Sequence, residues 1–540
     1  MKEKKPKPDN HLYYGDNLTI MGRMPKHSVD LIYLDPPFNS KRNYNLIYKN
    51  MTGMPVPEQA DAFCDTWEMD AEKEELAKKM PVLMREYDVP DYYVEFWRLW
   101  IQALRHTQPH LLAYLVYMVQ RMLHMKSILR PTGSIYLHCD PTASHYIKVM
   151  MDGIFGHKNF RNEIIWKRAN AHNDPRGYGR ISDTLLFYTA SDKYTWNTQH
   201  TPYREEYYES HFKKDDAGRY YRTVPLDAPR HGAGSANLIY EWKGKLPAPS
   251  RTWANKKETM EQYERDGLLR YTKTGTPTLI QYADKMKGVP LQNIWTDIPP
   301  VNPQAKERLG YPTQKPIALL ERIILASTNK GDVVFDPFCG CGTTIYAAVK
   351  TERKWIGCDI AILSVKLVRE ILTGEKYRLV EGVHFDVDGI PVSVEQAQEL
   401  FHRDPFQFEH WIVERVGGFP TKKTGDKGID GRMYFETQHG LKQMVLSVKG
   451  GKLKPGDVRD LIGVMDHEPD TEMAGFLSLQ PPSRAMLEAG AKAGQFTYEG
   501  VKYDRVQFLT VKDILEGKKE FHTPTKLRSR VSSLQGSLAL

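Results

Sequence analysis

Over roughly residues 11–375, apolar runs of strand length alternate with segments whose apolar positions recur at helical spacing. Val29-Asp30-Leu31-Ile32-Tyr33-Leu34 is nearly continuous in apolar character, the pattern of a strand buried on both faces of a parallel sheet. Two prolines stop it at once. Before it, His11–Tyr14 predicts a short strand running into the turn residues Gly15-Asp16-Asn17. From Asp91 to Leu129, apolar residues return at helical spacing (Phe96, Leu99, Trp100, Ala103, Leu104, then Leu111 through Met122), which predicts helices packed on a sheet. Met118, Met122 and Met125 read as core in that pattern. Pro131–Asp140 predicts a turn, a strand and an acid at the strand end. His145–Phe155 predicts a helix and Asn162–Trp166 a strand. Leu319–Ala326 predicts a helix, and Val333–Asp336 and Trp355–Asp359 predict strands. Alternating β and α segments argue for a parallel sheet with crossover helices.

Two stretches interrupt this rhythm. Between Lys167 and about Asp297 the periodicity weakens and Tyr, Trp, Arg, Lys, Gly and Asn dominate, as in Lys167-Arg-Ala-Asn-Ala-His-Asn and Arg251-Thr-Trp-Ala-Asn-Lys-Lys. Such residues serve phosphates and base edges in DNA readers; an irregular insertion or an oligomer interface has the same composition. The Gly-, Asp- and Pro-containing stretch near 386–396 reads as a linker. Beyond it, Ala397–Phe401 and Phe406–Val416 predict helix, Met444–Lys449 and Ala474–Leu479 predict strands, and Pro482 opens another helix. A chain of 540 residues exceeds a single core. The expected organisation is a first domain over 1–385 with a target-reading region at 167–297, a linker at 386–396, a second domain over 397–520 and a basic tail at 521–540.

Charge and cysteine content narrow the partners. A net charge of +8 suits a polyanion. No apolar run reaches membrane-spanning length, and the charged start Met1-Lys-Glu-Lys-Lys-Pro-Lys-Pro has no apolar segment after it, so a cytoplasmic protein without a membrane partner is expected. Five cysteines, an odd and sparse count, argue for a reducing compartment. Cys339-Gly-Cys341 lacks a second Cys/His pair at zinc-ligand spacing.

Candidate chemistry gathers at two strand ends. The first is Asp35-Pro36-Pro37-Phe38, an acid, rigid carbonyls and a ring at the C-terminal edge of a sheet, where open α/β folds place ligands. These groups suit gripping the amino group of a flat base; the plain alternative is a strand ending in a Pro-rich turn. The second is Val333-Val-Phe-Asp336-Pro337-Phe338-Cys-Gly340-Cys-Gly342-Thr343-Thr344, a strand, an acid, a Gly-containing turn and a helix start. Glycine lets backbone approach a nucleotide-like ligand closely. One strand later Asp359 stands where an acid commonly meets ribose hydroxyls.

In this order the pieces resemble the amino-methylating DNA methyltransferases of the β order, and most closely the modification subunits of type III restriction systems. The resemblance rests on Gly15-Asp16-Asn17, Asp35-Pro-Pro-Phe-Asn-Ser, Gly133-Ser-Ile-Tyr-Leu-His-Cys-Asp140, Asn162-Glu-Ile-Ile-Trp166, Tyr311-Pro-Thr-Gln-Lys-Pro316 and the Asp336–Thr344 loop. It implies an α/β fold, a Rossmann-like methyltransferase with an inserted target-recognition region, using S-adenosyl-methionine on a base flipped out of double-stranded DNA. Asp35 and the Pro36 carbonyl would accept the amine's two N–H groups, Pro37 would stiffen the turn and Phe38 would stack on the base. The family's cofactor pocket falls on Asp16, Asn17, Thr313, Lys315, Asp336, Pro337, Phe338, Gly340, Gly342, Thr343 and Asp359. Adenine-N6 is favoured over cytosine-N4 because the motif opens on Asp rather than Ser, a family tendency. Cytosine-C5 chemistry needs a thiolate after proline, and the chain has no Pro-Cys pair. A homodimer, a separate restriction subunit and a restriction or phage-defence role in a bacterium or archaeon follow from the same resemblance.

The C-terminal part resembles the Mrr-like branch of the restriction-endonuclease fold, an α/β PD-(D/E)xK-like domain, through Thr424-Gly-Asp-Lys-Gly-Ile-Asp430 and Ser447-Val-Lys449, with Glu409 on the preceding helix. That family uses the positions of Asp430, Ser447 and Lys449 to bind Mg²⁺ and polarise a phosphate, Asp430 being the expected metal ligand. Ser447 stands where Glu or Gln is expected, and a neutral hydroxyl is a weaker ligand. Three readings stay open: an adenine methyltransferase with a fused nuclease-like domain, a single chain that both methylates and cuts, and a DNA-binding protein with a spent methyltransferase core.

Overall fold

The computed structural model describes residues 8–37, 67–140, 143–170, 177–203, 205–230, 237–302, 304–305, 307–309, 314–421, 428–438 and 440–524; Phe38, Thr313, the loop at 39–60 and the tail from 525 lie outside them. Two compact units form, one from 1–197 with 293–540 and the other from 198–292.

Among the described residues the first unit is centred on a nine-stranded sheet. Its strands are β1 (His11–Tyr14), β2 (Val29–Leu34), β3 (Leu129–Cys139), β4 (Phe160–Lys167), β5 (Ser182–Thr189), β6 (Ile294–Trp295), β7 (Val333–Asp336), β8 (Lys354–Asp359) and β9 (Asp386–Asp388). Across the sheet they run β6-β4-β5-β3-β2-β7-β8-β1-β9. All six residues of β2 are buried, as the apolar run predicts. β7 pairs with it in parallel, Val334 beside Leu31 and Phe335 beside Ile32. From this central pair the chain continues outward in opposite directions, β2 toward β3 and β7 toward β8. Such a switch in strand order opens a crevice at the carboxyl ends of the two strands.

Helices Ala71–Glu86, Asp91–Thr107 and Pro109–Ile128 pack on the sheet. Met80, Trp97, Leu112, Leu115, Met118, Met122 and Met125 enter one core with Ile32, Ile135 and Ile147, so the methionine stretch is core. No helix among the described residues is long and apolar enough to cross a membrane.

Three sequence expectations change. The sheet is not all parallel: β5 runs antiparallel to both β3 and β4. Its residues lie inside the stretch assigned to target reading, yet all but Ser182 are buried. That short apolar segment is hidden among Arg-, Gly- and Tyr-rich neighbours, and the second compact unit spans 198–292. The stretch at 386–396 is no plain linker either. Asp386–Asp388 extends the sheet beside His11–Tyr13, and a helix already starts at Val394. Backbone groups along the outer edge of β1 need partners, and Asp-Val-Asp meets that need with a single apolar residue as its signal.

The C-terminal region carries a second sheet, with strands β10 (Phe419–Pro420), β11 (Gly431–Thr437), β12 (Gly440–Lys449), β13 (Thr471–Ser478) and β14 (Val506–Thr510) in that order. The pairs β12/β13 and β13/β14 are parallel. Helices Pro455–His467 and Arg484–Ala491 supply Val458, Leu461, Met465 and Met486 to a core with Ile429, Val445, Phe476 and Val506.

The unit at 198–292 has a four-stranded sheet in which Leu269–Tyr271, Pro277–Tyr282, Tyr220–Pro225 and Lys213–Lys214 lie side by side. Leu226, Trp242, Trp253 and Met260 form its small core. Cations lie over its rings: Arg219 is 3.8 Å from the Tyr282 centroid and Arg270 is 5.0 Å from that of Tyr221.

Candidate active site

Because β2 ends at Leu34 and Pro36 cannot continue the ladder, Asp35 is held at the mouth of the central crevice. Asp336 ends the neighbouring strand β7. One oxygen of Asp35, Oδ2, is ion-paired with the Lys315 ammonium, both side chains being largely buried. The other, Oδ1, is buried and has no hydrogen-bond partner among the described residues. Lys315, expected on the cofactor side, is brought by the fold onto the candidate acid. Asp336 is 3% exposed. It accepts the Thr344 hydroxyl on Oδ2 and the Phe338 N–H on Oδ1 at 3.0 Å. Burial pushes its carboxyl up to about 7, against those two hydrogen bonds, and the charges of Asp35 and Asp359 add to the rise.

The glycines of the following turn do specific work. Gly342 has φ 85° and caps the helix Thr343–Lys350. A Cβ there would lie 2.7 Å from Val368 Cγ2 and 3.0 Å from the Tyr346 ring. Gly340 donates its N–H to Asp359 Oδ2 at 2.8 Å, and Ala361 donates to Oδ1 at 2.8 Å. The turn and the acid on the next strand are thus one hydrogen-bonded unit. Burial raises Asp359 to about 6 despite those N–H groups. Gly342→Ala is expected to cost about 2–4 kcal/mol, from the left-handed backbone and the clash together. A fall in the urea midpoint checks it; an unchanged midpoint contradicts it.

Asp16 and Asn17 are tied to the same turn. Asp16 Oδ1 caps the short helix Asn17–Met21 through the Leu18 N–H at 2.6 Å. Asn17 donates to the Pro337 carbonyl at 2.9 Å. The Arg121 guanidinium bridges Asp16 at 2.6 Å and Asn17 at 2.7 Å. Arg121 was not foreseen; its one signal is a charge interrupting the apolar run of its helix. Another unforeseen network lies behind Asp35. The Tyr33 hydroxyl is 2.9 Å from His138 Nδ1, and His138 Nε2 is 3.1 Å from Asp183. Arg168 lies 3.1 Å from the other Asp183 oxygen. Burial works to raise Asp183, but His138, Arg168 and Lys315 together hold it below the usual carboxylate value. His138 belongs to the quoted Gly133–Asp140 motif; Asp183 lies on the strand that sequence reasoning missed.

Asp336 and Asp359 are buried close enough that the charge of Asp359 raises Asp336, and Arg121 fixes Asp16 alongside the Pro337 turn. Mutually repelling buried acids suit a cationic ligand, since a positive charge among them relieves both burial and repulsion. S-adenosyl-methionine, with its sulfonium and ammonium, has that character.

Among the described residues the C-terminal candidates show no three-ligand metal group. Asp430 Oδ2 accepts the Val448 N–H at 2.6 Å, with Ser447 Oγ at 3.4 Å, so this carboxylate is turned onto the backbone of β12. Lys449 ends that strand, and Glu409 sits on the helix Pro405–Arg415. Among the described residues no group of three His, Cys, Asp or Glu could hold a metal ion. Mg²⁺ keeps several waters and takes one or two carboxylates together with substrate phosphate, and of the candidate oxygens Asp430 Oδ2 is engaged by the β12 backbone.

A family model described as DNA methylase, covering N6 and N4 methyltransferases, matches residues 29–370. The chain is 33% identical over 259 residues to the type II methyltransferase M.EcaI of Enterobacter cloacae, covering 47% of this chain and 56% of that protein. It is 26% identical over 371 residues to the Mod subunit of the type III restriction-modification enzyme StyLTI of Salmonella typhimurium, covering 64% of this chain and 51% of that one. It is 41% identical over 358 residues to the DNA adenine methyltransferase YhdJ of Escherichia coli, covering 66% of this chain and 80% of that one. The chain thus spans about half the length of the first two relatives. With the match over 29–370 taking in both strand ends of the crevice, the chain belongs to the DNA methylase family.

Proposed function

We propose that the chain transfers a methyl group from S-adenosyl-methionine to the exocyclic N6 of an adenine flipped out of double-stranded DNA, within a restriction-modification or phage-defence system. The observation that carries this reading is the divided state of Asp35: Lys315 holds Oδ2, while Oδ1 is buried and lacks a partner among the described residues. An acceptor oxygen fixed in that way is ready for an incoming N–H. The exocyclic amine of adenine is a poor nucleophile because its lone pair is delocalised into the ring. Asp35 Oδ1 takes one N–H and the Pro36 carbonyl the other, which turns the lone pair out of conjugation; Phe38 stacks on the base. S-adenosyl-methionine, when bound, supplies the electrophilic methyl. The surplus proton of the methylated amine passes to Asp35 and on to water. Asp336, Asp359 and Asp16, with the Gly340–Gly342 turn, hold the donor. Adenine is favoured by the Asp that opens the motif and by the named activity of the YhdJ relative.

The unit at 198–292 would read the target, a role its ring-stacked arginines support. The C-terminal region is read as an endonuclease-like module that holds DNA or scaffolds the chain rather than cutting. A homodimer and a separate restriction subunit, such as a Mod protein serves, belong to the same reading.

Tritiated-methyl transfer to unmodified DNA, followed by methylation-aware long-read sequencing of the product, tests the proposal. N6-methyladenine at one short sequence is expected. N4-methylcytosine would overturn the base assignment, and no transfer to any DNA would favour a spent core.

A further inference from the structure

The helix Pro405–Arg415, which opens the C-terminal region, faces the donor end of the crevice with two polar side chains two helical turns apart. Gln407, buried, donates from Nε2 to the carbonyl of Tyr14 at 3.2 Å. Tyr14 ends β1, and the next residue, Gly15, donates its N–H to the Asp359 carbonyl at 2.9 Å. A Cβ at position 15 would come within 2.7 Å of Gln407 Nε2, so Gln407 occupies the space a side chain would take there. Glu414, also buried, accepts the N–H of Ile362 on Oε2 at 3.0 Å. Ile362 is the first residue of the helix that follows Asp359. The turn 360–362 is therefore held by two carboxylates, Asp359 through Ala361 and Glu414 through Ile362. Burial pushes Glu414 up to about 8, against the Ile362 N–H, with the charge of Asp359 adding to the rise. An apolar residue would pack this interface without that cost, so the acid's presence calls for a role beyond packing.

We propose that Gln407 and Glu414 are positioning residues of the methyl-donor site, through which the C-terminal helix braces the turns at Tyr14–Asn17 and Asp359–Ile362 and couples donor occupancy to the C-terminal region. This rests on the donor site proposed above. Neither side chain needs to touch the donor. Each fixes backbone that carries an acid of the pocket, Asp16 in one turn and Asp359 in the other.

The test uses the full chain. Calorimetry with S-adenosyl-methionine compares wild type with Gln407→Ala, Glu414→Ala and Glu414→Gln, and hydrogen exchange follows residues 404–416 with and without the donor. Both alanine variants are expected to weaken donor binding about tenfold, as for a lost bond to a buried polar group, while kcat at saturating donor stays within about threefold. Glu414→Gln, which keeps an acceptor for Ile362, is expected to retain most of the affinity. In the wild type the donor is expected to slow exchange across 404–416. A wild type that binds donor, with variants within twofold of it and exchange at 404–416 unmoved, overturns the coupling; a wild type that binds no donor overturns the donor site itself. Should the alanine variants fail to fold, the wild-type exchange and Glu414→Gln still decide the matter.

Discussion

Asp35→Asn is expected to lower methyl transfer by about a thousandfold or more while S-adenosyl-methionine affinity stays within about threefold. The substitution preserves shape and volume and changes one thing: a carboxylate with two acceptors becomes an amide with one. In the native arrangement Lys315 uses one oxygen, and the buried Oδ1, without a partner among the described residues, remains for the amine. With Asn, one orientation leaves the ammonium facing an NH₂, and the other points that NH₂ at the amine, donor against donor. Either way the acceptor that localises the lone pair is lost, and removal of a single preorganised partner at a reacting centre commonly costs about 10²–10³ in rate. Loss of the charge adds to it. Donor affinity is spared because the acids and turn assigned to the donor come from β7, β8 and the Asp16 turn, not from β2. Single-turnover transfer of a tritiated methyl, with calorimetry alongside, measures both. Transfer within tenfold of wild type would remove Asp35 from the mechanism.

Asp336→Asn is expected to separate stability from function. The Asp336 carboxyl sits at about 7 against an ordinary 3.8, chiefly through burial. Its folded value is raised, so between roughly pH 4 and 7 the folded chain binds more protons than the unfolded one. The contribution to stability is then complete at low pH and is lost as pH rises through about 7. Asn does not titrate, can still accept the Phe338 N–H, and can donate to the Thr344 hydroxyl. The variant's Tm should therefore exceed that of the wild type by more at pH 8 than at pH 5.5. Donor binding should move the other way. A cationic donor selects the ionised acid, so wild-type affinity should rise with pH up to about 7, by at most about tenfold per unit for one linked proton, and at pH 8 the Asn variant should bind at least about tenfold more weakly. Thermal unfolding and calorimetry from pH 5 to 8.5 give both curves. A Tm difference independent of pH would show that the buried acid carries no such linkage.

These expectations draw unequally on sequence and on fold. The strand at Val29–Leu34, its arrest at Pro36 and the turn at Gly340–Gly342 are local matters. An apolar run that meets proline, or a glycine at a left-handed position, is written within a few neighbouring residues, and all of these are legible in the chain. The family is legible too, since it rests on short motifs in a set order. What was not legible is pairwise and distant. Lys315 reaches Asp35 across 280 positions. Arg121 reaches Asp16 across 105. Asp183 meets His138 only because β5 enters the sheet antiparallel beside β3.

The same division explains the misreadings. β5 is a short apolar segment inside a polar stretch, and β9 is Asp-Val-Asp, whose reason for being a strand is the open edge of β1. Distance in space also sets how Asp430 is turned, with one oxygen accepting the backbone N–H of Val448. By itself the sequence determined which strands end in acids and which turns must be glycine, because steric limits and apolar burial act over a few residues. The tertiary structure alone decided which cation meets which acid, which carboxylate oxygen is left without a partner, and that Gln407 and Glu414 of the C-terminal region brace the donor turns. Charge pairing and the satisfaction of buried polar groups depend on distances in space, and those exist only once the strand order has brought remote segments together.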